Sequence, residues 1–362
     1  MTGTLSRYFG MKFLSTLLAV LAGVFGLIML IDYVELMRRH SDVPNLSALT
    51  VAKTSLFRVP QVAERILPFC VLIGAMSCYL GLSRRLELVI ARSSGMSAWQ
   101  FTAPALIIAL AVGAFATAVY NPVAAILAER SKRIEAEMTG QAPASLAAGG
   151  GGLWVRQKSP EGSSVINAVS SREQGVQLSS VTAFTFDPQG KFIERIEAKS
   201  AVLEPGYWRL SEARVYAPGI PPVEREQHQL STNLTPAQVR ETFSTPETVP
   251  FWQLPQYIQL AEHAGLTAAG YRLQYQKLLS RPFMLAAMVL LAAAFSLRFF
   301  RFGGVQKMVL GGVTAGFGLY VMSKVTDDLS KAELLQPTLA AWLPVVVGGL
   351  SGFVALLYLE DG

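Results

Sequence analysis

The sequence predicts an α-helical membrane protein with six transmembrane helices and one inserted all-β domain. Hydrophobic residues make up 51% of the 362 residues and charged residues only 15%, whereas soluble domains carry roughly 25% charged residues. The apolar residues are concentrated in long uncharged runs, as membrane-spanning helices require. Three such runs precede a polar, turn-rich block at residues 138–250, and three follow it.

The first part of the chain, residues 1–137, contains three predicted spans. Residues 13–31 carry no charge, and a helix of this length nearly crosses a hydrocarbon core of about 30 Å. Basic and aromatic side chains in residues 1–12 favour an interfacial helix that leads into the first span. The predicted spans cover residues 13–37, 60–82 and 98–127. Pro122 is expected to kink or end the third span as a regular helix.

The polar block, residues 138–250, has the pattern of an all-β domain. Apolar and polar side chains alternate in short runs, for example around Thr182, Phe184 and Phe186. Turn-forming sequences such as DPQG and EPG separate these runs. Several short strands at regular spacing are typical of a sandwich or a jelly roll. An Ala- and Gly-rich stretch at residues 141–152 is predicted to be a flexible hinge before the strands.

The last part of the chain, residues 251–362, returns to the membrane. Apolar residues at helical spacing predict two short interfacial helices before the fourth span. The remaining predicted spans cover residues 280–298, 306–323 and 336–359. With six spans, both termini lie on one side of the membrane and the β domain lies on the other.

The distribution of basic residues predicts which side is cytoplasmic. By the positive-inside rule, the basic residues beside the spans on the side of the termini mark that side as cytoplasmic. The opposite side has basic residues too, but these are accompanied by acidic ones: Arg38, Arg39, Lys53, Arg58, Lys324 and Lys331 with Asp42, Asp327, Asp328 and Glu333. The β domain is therefore expected outside the cytoplasm, in the periplasm if the cell has two membranes. The net charge of +6 has the same explanation and does not indicate a nucleic-acid partner. The basic residues on the terminal side are Arg7, Lys12, Arg84, Arg85, Arg92, Arg298, Arg301 and Lys307.

No catalytic or cofactor motif is present in the sequence. The phosphate-binding loop GxxxxGK[ST], the GxSxG elbow and the zinc motif HExxH are all missing. Cys70 and Cys78 are too far apart on one helix for a disulfide, and the histidines have no metal-ligand spacing. The apolar spans lack ionisable residues near their middle, which argues against ion coupling. The chain is therefore predicted to be a non-enzymatic subunit without a bound cofactor, and any energy would come from a partner.

Residues 83–97, SRRLELVIARSSGMS, are the best candidate for a contact with another protein. An ordinary cytoplasmic loop would explain the arginines but not the apolar residues among them. A short amphipathic helix that offers the carboxylate of Glu87 would suit docking into a partner's groove.

A group of glycines in the fifth span forms the second candidate. Gly311, Gly312 and Gly316 have the small-residue spacing at which two helix backbones can approach closely. They suit either packing within this chain or an interface between subunits. Gly23 and Gly26 of the first span would take part in the second case, and the sequence leaves both alternatives open.

The order of these features resembles the LptF/LptG permease family of the lipopolysaccharide export ABC transporter, with details nearer the LptG branch. The resemblance covers nearly the whole chain, and the order of its short stretches is more specific than any one of them. These are LSRYFG at the N terminus, the 83–97 loop, LWVR at 153–156, YWRLSEARVY at 207–216, TNLTP at 232–236 and AEHAGLTAAGYRLQYQKLLSRPF at 261–283.

The resemblance implies a permease in the inner membrane of a Gram-negative bacterium, paired with an LptF-type relative around a V-shaped cavity. Two copies of an LptB-type ATPase, which hold the ATP and Mg²⁺, would drive it. Lipopolysaccharide would pass along jelly-roll domains to LptC- and LptA-type periplasmic proteins. The resemblance implies that the helix in the 83–97 loop contacts the ATPase, with Glu87 as the docking carboxylate and Arg84, Arg85 and Arg92 beside it. It also makes the first and fifth spans the lateral gate.

The resemblance further implies that basic residues near the outer rim meet the phosphates of the substrate. These are Arg38 and Arg39 after the first span, and Arg130 and Arg133 after the third. Ordinary snorkelling of interfacial arginines would explain all four equally well. Asp32 stands where some relatives have a basic residue, and a carboxylate at this place would repel phosphate.

Two other functions remain open from the sequence. A structural or sensory inner-membrane protein, whose β domain binds an envelope partner, would need no ATPase. An ion-driven lipid carrier is less consistent with the absence of charges in the middle of the predicted spans.

Overall fold

The computed structural model describes residues 2–39, 47–139, 153–159, 162–172, 176–187, 189, 191–232, 246–263, 268–300 and 305–361. In this part of the chain, six helices are long and apolar enough to cross a membrane. Three precede a separate antiparallel β-sheet and three follow it, which confirms the predicted fold class. The predicted hinge at residues 141–152 lies outside the described residues.

The helices are labelled here in chain order. The first part contains α1 (Thr2–Arg39), α2 (Ala48–Arg84), the short α3 (Glu87–Ser93), α4 (Ala98–Phe115), a π-helix (Ala116–Tyr120) and α5 (Asn121–Thr139). Two 3₁₀ turns, Pro246–Thr248 and Phe251–Gln253, follow the β-sheet. After them come α6 (Leu254–His263), α7 (Ala269–Phe300), α8 (Val305–Lys331) and α9 (Pro337–Asp361).

The helix α2 lies at the centre of the helical body. In the most apolar 18-residue stretch of α2, 61% of the residues are buried, compared with 6% in the corresponding stretch of α1 and 22% in that of α8. Helices α1, α5, α7 and α8 all pack against it. Gly74 of α2 allows the backbone of α1 to come close, because a Cβ there would lie 3.2 Å from Leu17 Cα. The two least buried helices, α1 and α8, therefore both rest on the most buried one.

The third span is interrupted before Pro122, as predicted, but the chain continues as a helix. Regular α-helix ends at Phe115, a π-helix of five residues follows, and α5 begins at Asn121. Proline has no N–H group, so the carbonyl four residues earlier loses its helical partner. This carbonyl belongs to Ala118, and it accepts a hydrogen bond from Trp252 Nε1 at 2.9 Å. The broken helix thus becomes an attachment point for the chain that returns from the β-sheet.

Six antiparallel strands form one sheet in the order of the sequence. The inserted all-β domain is thereby confirmed, and the described strands form a meander without the crossing connections of a Greek key. The strands are β1 (Leu153–Ser159), β2 (Gly162–Arg172), β3 (Gln177–Phe186), β4 (Phe192–Glu204), β5 (Tyr207–Tyr216) and β6 (Val223–Ser231).

A row of irregular positions crosses the sheet, and at this row the alternation of buried and exposed side chains shifts by one residue. In β3, Leu178 and Val181 are both buried, although residues three apart on a regular strand face opposite sides. The same spacing occurs in β4 and β5. Ser180 and Glu212 lie in this row with φ angles of 51° and 50°, which places both in the left-handed region. We call this row the crease, because it divides the sheet into two leaves that share one buried face.

A buried glutamine fastens the two leaves together. Gln157 of β1 accepts hydrogen bonds from Trp208 Nε1 of β5 at 3.0 Å and from Thr232 Oγ1 at 2.7 Å. Its own Nε2 donates to Ser164 Oγ at 2.8 Å. Since β1 and β5 are not neighbours in the sheet, these bonds show that the sheet is folded over. The predicted sandwich is thus built from one folded sheet.

Candidate functional site

An open stripe on α2 is the main surface feature of the helical body. Its members recur every three or four residues and so share one helix face. Gly74, on one side of the stripe, contacts α1, while Leu72 and Met76, on the other side, contact α8. Helices α1 and α8 therefore flank the stripe, and we call the space between them the groove. The stripe consists of Ile66, Phe69, Ile73, Ser77 and Leu80, all exposed or partly exposed.

The two helices that flank the groove also carry exposed apolar side chains. Helices α1 and α8 make no extended contact with each other within the described residues, so the groove remains open along its length. An uncovered apolar surface of this kind needs lipid or a second protein to cover it. The exposed apolar residues include Leu27, Leu30, Ile31 and Val34 on α1, and Leu310, Val313, Phe317 and Val321 on α8.

The predicted gate glycines fall into two groups. A Cβ at Gly312 would lie 2.5 Å from Met76 Cε, and one at Gly316 would overlap the side chain of Leu72. These two glycines therefore allow α8 to pack on α2 within the chain, and Gly311 beside them is partly buried. Gly23 and Gly26 of α1 have no atom within 4 Å of their added Cβ. Their side of α1 is open.

Three predicted phosphate-binding arginines lie at the β-domain ends of α1 and α5. Arg38 Nη2 lies 2.8 Å from Glu35 Oε2, and Arg39 Nη2 lies 3.1 Å from Glu35 Oε1, so both share one carboxylate. Arg130 of α5 is exposed and forms no ion pair with any described residue. The side chain of Arg133 lies outside the described residues.

The charge of Asp32 is balanced in a way that the sequence did not reveal. Arg58 of α2 lies with its Nε 3.6 Å from Asp32 Oδ1 and its Nη1 3.8 Å from Glu135 Oε2 of α5. One arginine therefore joins the ends of three helices. The expected repulsion between Asp32 and phosphate is reduced, because the carboxylate already faces a cation. This pairing was not predicted, because residues 38–58 have the composition of a polar loop although α2 already begins at Ala48.

A buried ion pair joins α2 and α7. Glu64 and Arg281 are paired with side chains 6% and 16% exposed, and both lie near the start of their predicted spans, 60–82 and 280–298, rather than near the middle. Asn121 Nδ2 donates to Glu64 Oε1 at 2.8 Å, and Asn121 Oδ1 accepts from the Phe251 N–H at 3.0 Å. The prediction for the middle of the spans is unaffected, because both helices begin well before their uncharged parts, at Ala48 and Ala269.

The chain that returns from the β-sheet is attached to α2 and to the π-helix. Gln61 Nε2 donates to the carbonyl of Glu247 at 3.0 Å, and Arg65 forms an ion pair with the Glu247 carboxylate. Together with the bonds of Phe251 and Trp252 described above, they hold residues 246–253 on the helical body. We call these residues the connector.

The predicted docking helix is present as α3, although it has only seven residues. Leu88 and Ala91 are buried, whereas Ile90 is 65% exposed. The hydroxyl of Tyr8 in α1 donates a hydrogen bond to Glu87 Oε2 at 2.9 Å. The predicted docking arginines, Arg84, Arg85 and Arg92, lie within or just before α3 and form no ion pair among the described residues.

No metal-binding group of three or more His, Cys, Asp or Glu side chains occurs within the described residues. The two cysteines are buried and free. The open groove, the arginines near the ends of α1 and α5, and α3 are the candidate working parts of the molecule.

Comparison with known proteins identifies the family. The family model described as "Lipopolysaccharide export system permease LptF/LptG" matches residues 7–358. The lipopolysaccharide export system permease protein LptG of Escherichia coli strain K12 is 24% identical over 355 residues, with 94% of each chain covered. The protein of the same name from Haemophilus influenzae strain Rd is 23% identical over 356 residues, with 95% of each chain covered. Because the family match extends over nearly the whole sequence, this chain belongs to the LptF/LptG family of lipopolysaccharide export system permeases.

Proposed function

We propose that this protein is an LptG-type permease subunit of an ATP-driven exporter that extracts lipopolysaccharide from the inner membrane. The observation that carries the proposal is the groove on α2, open between α1 and α8. An LptF-type permease placed against α1 and α8 would cover the groove and turn it into a cavity. The open side of α1 at Gly23 and Gly26 supports this placement.

The physical need of such an exporter is an apolar route. Moving a hydrocarbon chain into water costs about 0.8 kcal/mol per CH₂, so one acyl chain of about a dozen carbons costs roughly 10 kcal/mol. The groove floor is apolar except at Ser77, so a chain sliding along it stays out of water. The work must come from a partner, since the sequence has no phosphate-binding loop. An LptB-type ATPase, carrying the ATP and Mg²⁺, is the proposed source.

The proposed orientation puts α3 in the cytoplasm and the β domain in the periplasm. The basic residues on the side of the termini support this orientation. The ATPase would then contact α3, and LptC- and LptA-type proteins would receive lipopolysaccharide from the β domain.

The proposed contact with the phosphates of the substrate centres on the arginines at the rim. Arginine binds phosphate with two parallel hydrogen bonds. Glu35 compensates only one charge of the pair Arg38 and Arg39, and Arg130 is not compensated by any described residue. We therefore expect Arg130→Glu and Arg38→Glu to reduce crosslinking of lipopolysaccharide in the cavity. Unchanged crosslinking would favour simple snorkelling.

A photo-crosslinking experiment tests the groove directly. A photoreactive amino acid is placed at Ile73 in the groove or, as a control, at Ile107 of α4, which is 67% exposed but outside the stripe. Both variants are reconstituted with the partner permease, the ATPase and lipopolysaccharide. We expect ATP-dependent lipopolysaccharide adducts at residue 73 and not at residue 107. Equal adducts at both positions would mean general lipid exposure and would contradict the proposal.

A further inference from the structure

The carboxylate proposed to dock the ATPase is held by a residue of another helix. The Tyr8 hydroxyl of α1 donates to Glu87 Oε2 at 2.9 Å. We propose that Tyr8 is a positioning residue for Glu87, and that the ATPase docks on a two-helix surface made by the start of α1 together with α3. This inference rests on the proposed function and deepens its docking site.

The helix α3 needs such support because it is short. Isolated helices of fewer than about 12 residues are marginal in water, and α3 has seven. It is bounded by Leu86 with φ 61° and by Gly95 with φ 84°, so sharp turns enclose it. Only Leu88 and Ala91 of α3 are buried. Glu87, the first residue of the helix, therefore gains a fixed direction from its bond to Tyr8.

The start of α1 is well suited to provide that support. Phe9 is 5% exposed and packs edge-on against Phe101 of α4, with ring centroids 6.4 Å apart. Gly10 lies so near α4 that a Cβ there would be 3.1 Å from Ile108 Cδ1. Tyr8 is thus held by neighbours that belong to the helical body. The bond from Tyr8 to Glu87 connects α3 to that body.

The surface is accessible from outside the hydrocarbon core. The 38 residues of α1 extend for about 57 Å at about 1.5 Å per residue, far more than a core of about 30 Å. The uncharged part begins only at Phe13, after Arg7 and Lys12. Leu5 and Tyr8 therefore lie beyond the core, on the same side as α3.

The shape and chemistry of this surface define its partner. A shallow cavity of about 390 Å³ is lined by Leu5, Tyr8 and Phe9 from α1, by Glu87, Ile90 and Ala91 from α3, and by Ser94 just after α3. The Tyr8 hydroxyl donates to Glu87 Oε2, and no further hydrogen bond or ion pair joins Glu87 to a described residue. The occupant that fits is an ATPase subunit that places one cationic side chain beside Glu87 within an apolar contact.

A double-mutant cycle in the complete exporter tests the role of Tyr8. The permease pair is titrated with ATPase, and the half-saturating concentration is measured for Tyr8→Phe, Glu87→Ala and the double variant. Tyr8→Phe keeps the ring and removes only the hydroxyl. We expect it to raise the half-saturating concentration about threefold to tenfold, as the loss of one hydrogen bond would. In the Glu87→Ala background it should have almost no effect. Tyr358→Phe, on an exposed tyrosine near the C terminus, is the control.

Each outcome of this cycle separates the inference from the proposed function. If Glu87→Ala weakens docking but Tyr8→Phe does not, the inference fails and the proposed function stands. If Tyr8→Phe is equally harmful with and without Glu87, Tyr8 does not act through Glu87 and the inference also fails. If Glu87→Ala has no effect, the docking site itself is wrong.

Cysteine crosslinking tests the two-helix surface without changing Tyr8. Single cysteines replace Leu5 or Ile90, and Leu334, 76% exposed at the other end of the helical body, provides the control. The native Cys70 and Cys78 are buried and should not react. We expect ATPase adducts from positions 5 and 90 and none from position 334. Adducts from position 90 alone would overturn the two-helix surface, and adducts from neither position would overturn the docking site.

Discussion

Glu64 of α2 and Arg281 of α7 form an ion pair that is almost closed to solvent, with side chains 6% and 16% exposed. A buried pair adds little net stability, because both groups lose their hydration. Removing one partner is costly, however, since the other charge then stays buried without compensation. The pair therefore fixes how the two helices lie against each other more than it stabilises the fold.

The first prediction concerns this pair. Arg281→Met should lower the free energy of unfolding of the detergent-solubilised chain by about 3 kcal/mol. Adding Glu64→Leu should restore most of this loss, because no buried charge remains. Thermal unfolding followed by tryptophan fluorescence measures both. Asp328→Ala breaks the exposed pair with Lys324, whose side chains are 57% and 56% exposed, and should change stability by less than about 1 kcal/mol. Equal effects at the two pairs would contradict the buried-charge argument.

The second prediction concerns Asn121, which links the ion pair to the connector. Asn121→Ala leaves the buried N–H of Phe251 without its acceptor. We expect the Phe251 amide to exchange its hydrogen about fivefold faster, as the loss of about 1 kcal/mol implies. Hydrogen–deuterium exchange of a peptide containing residues 246–253 measures the change. Trp252→Phe removes the neighbouring bond to Ala118 and should leave the Phe251 amide protected. Faster exchange of the Phe251 amide in both variants would instead indicate that the whole connector is loosened.

The third prediction separates glycines that pack inside the chain from those on its open side. A Cβ at Gly113 would overlap the backbone of Pro282 in α7, so Gly113→Ala should destabilise the isolated chain by about 1–3 kcal/mol. A Cβ at Gly23 has no atom within 4 Å, so Gly23→Leu should leave that stability unchanged. Under the proposed function, Gly23→Leu should instead lower the yield of the paired permeases on co-purification. A loss of chain stability in Gly23→Leu would contradict this prediction.

The fourth prediction concerns His228 in β6. Burial lowers the pKa of His228, Glu194 3.8 Å away partly opposes this shift, and Arg225 adds to it. Since the folded-state pKa lies below the ordinary value of about 6.5, the unfolded chain binds more protons as the pH falls below that value. The stability due to neutral His228 is therefore complete above about pH 6.5 and decreases as the pH falls toward the folded-state pKa.

Hydrogen exchange of the β5 and β6 peptides at about pH 7 and about pH 5.5, corrected for intrinsic rates, measures this dependence. The wild-type sheet should lose more protection at the lower pH than His228→Gln does. Carboxylates elsewhere affect both proteins equally, so the difference between them isolates the histidine. Identical losses would show that His228 does not contribute.

The fold class could be predicted because each of its signals is local. Uncharged runs long enough to cross a membrane identify helices, and alternation with a period of two identifies strands. The crease had no such signal, since Ser180 and Glu212 adopt positive φ without being glycine. Their conformation depends on the folding of the whole sheet.

The candidate site could be predicted only in part, because its geometry depends on contacts between distant helices. The sequence identified Glu87 as a docking carboxylate, but Tyr8 is 79 positions away. Likewise, no local pattern pairs Asp32 with Arg58 or Glu64 with Arg281. The glycines show the same difficulty, since similar small-residue motifs serve α8 packing at Gly312 and Gly316 and an open face at Gly23 and Gly26.

The bond between Trp208 and Gln157 has a consequence for how the β domain would handle a lipid. If an acyl chain entered between the leaves, breaking these hydrogen bonds would cost about 1 kcal/mol each. Shielding one acyl chain from water is worth roughly 10 kcal/mol. Under the proposed function, the free energy gained by shielding an acyl chain would therefore exceed the cost of separating the leaves. The lipid itself would then open the β domain that receives it.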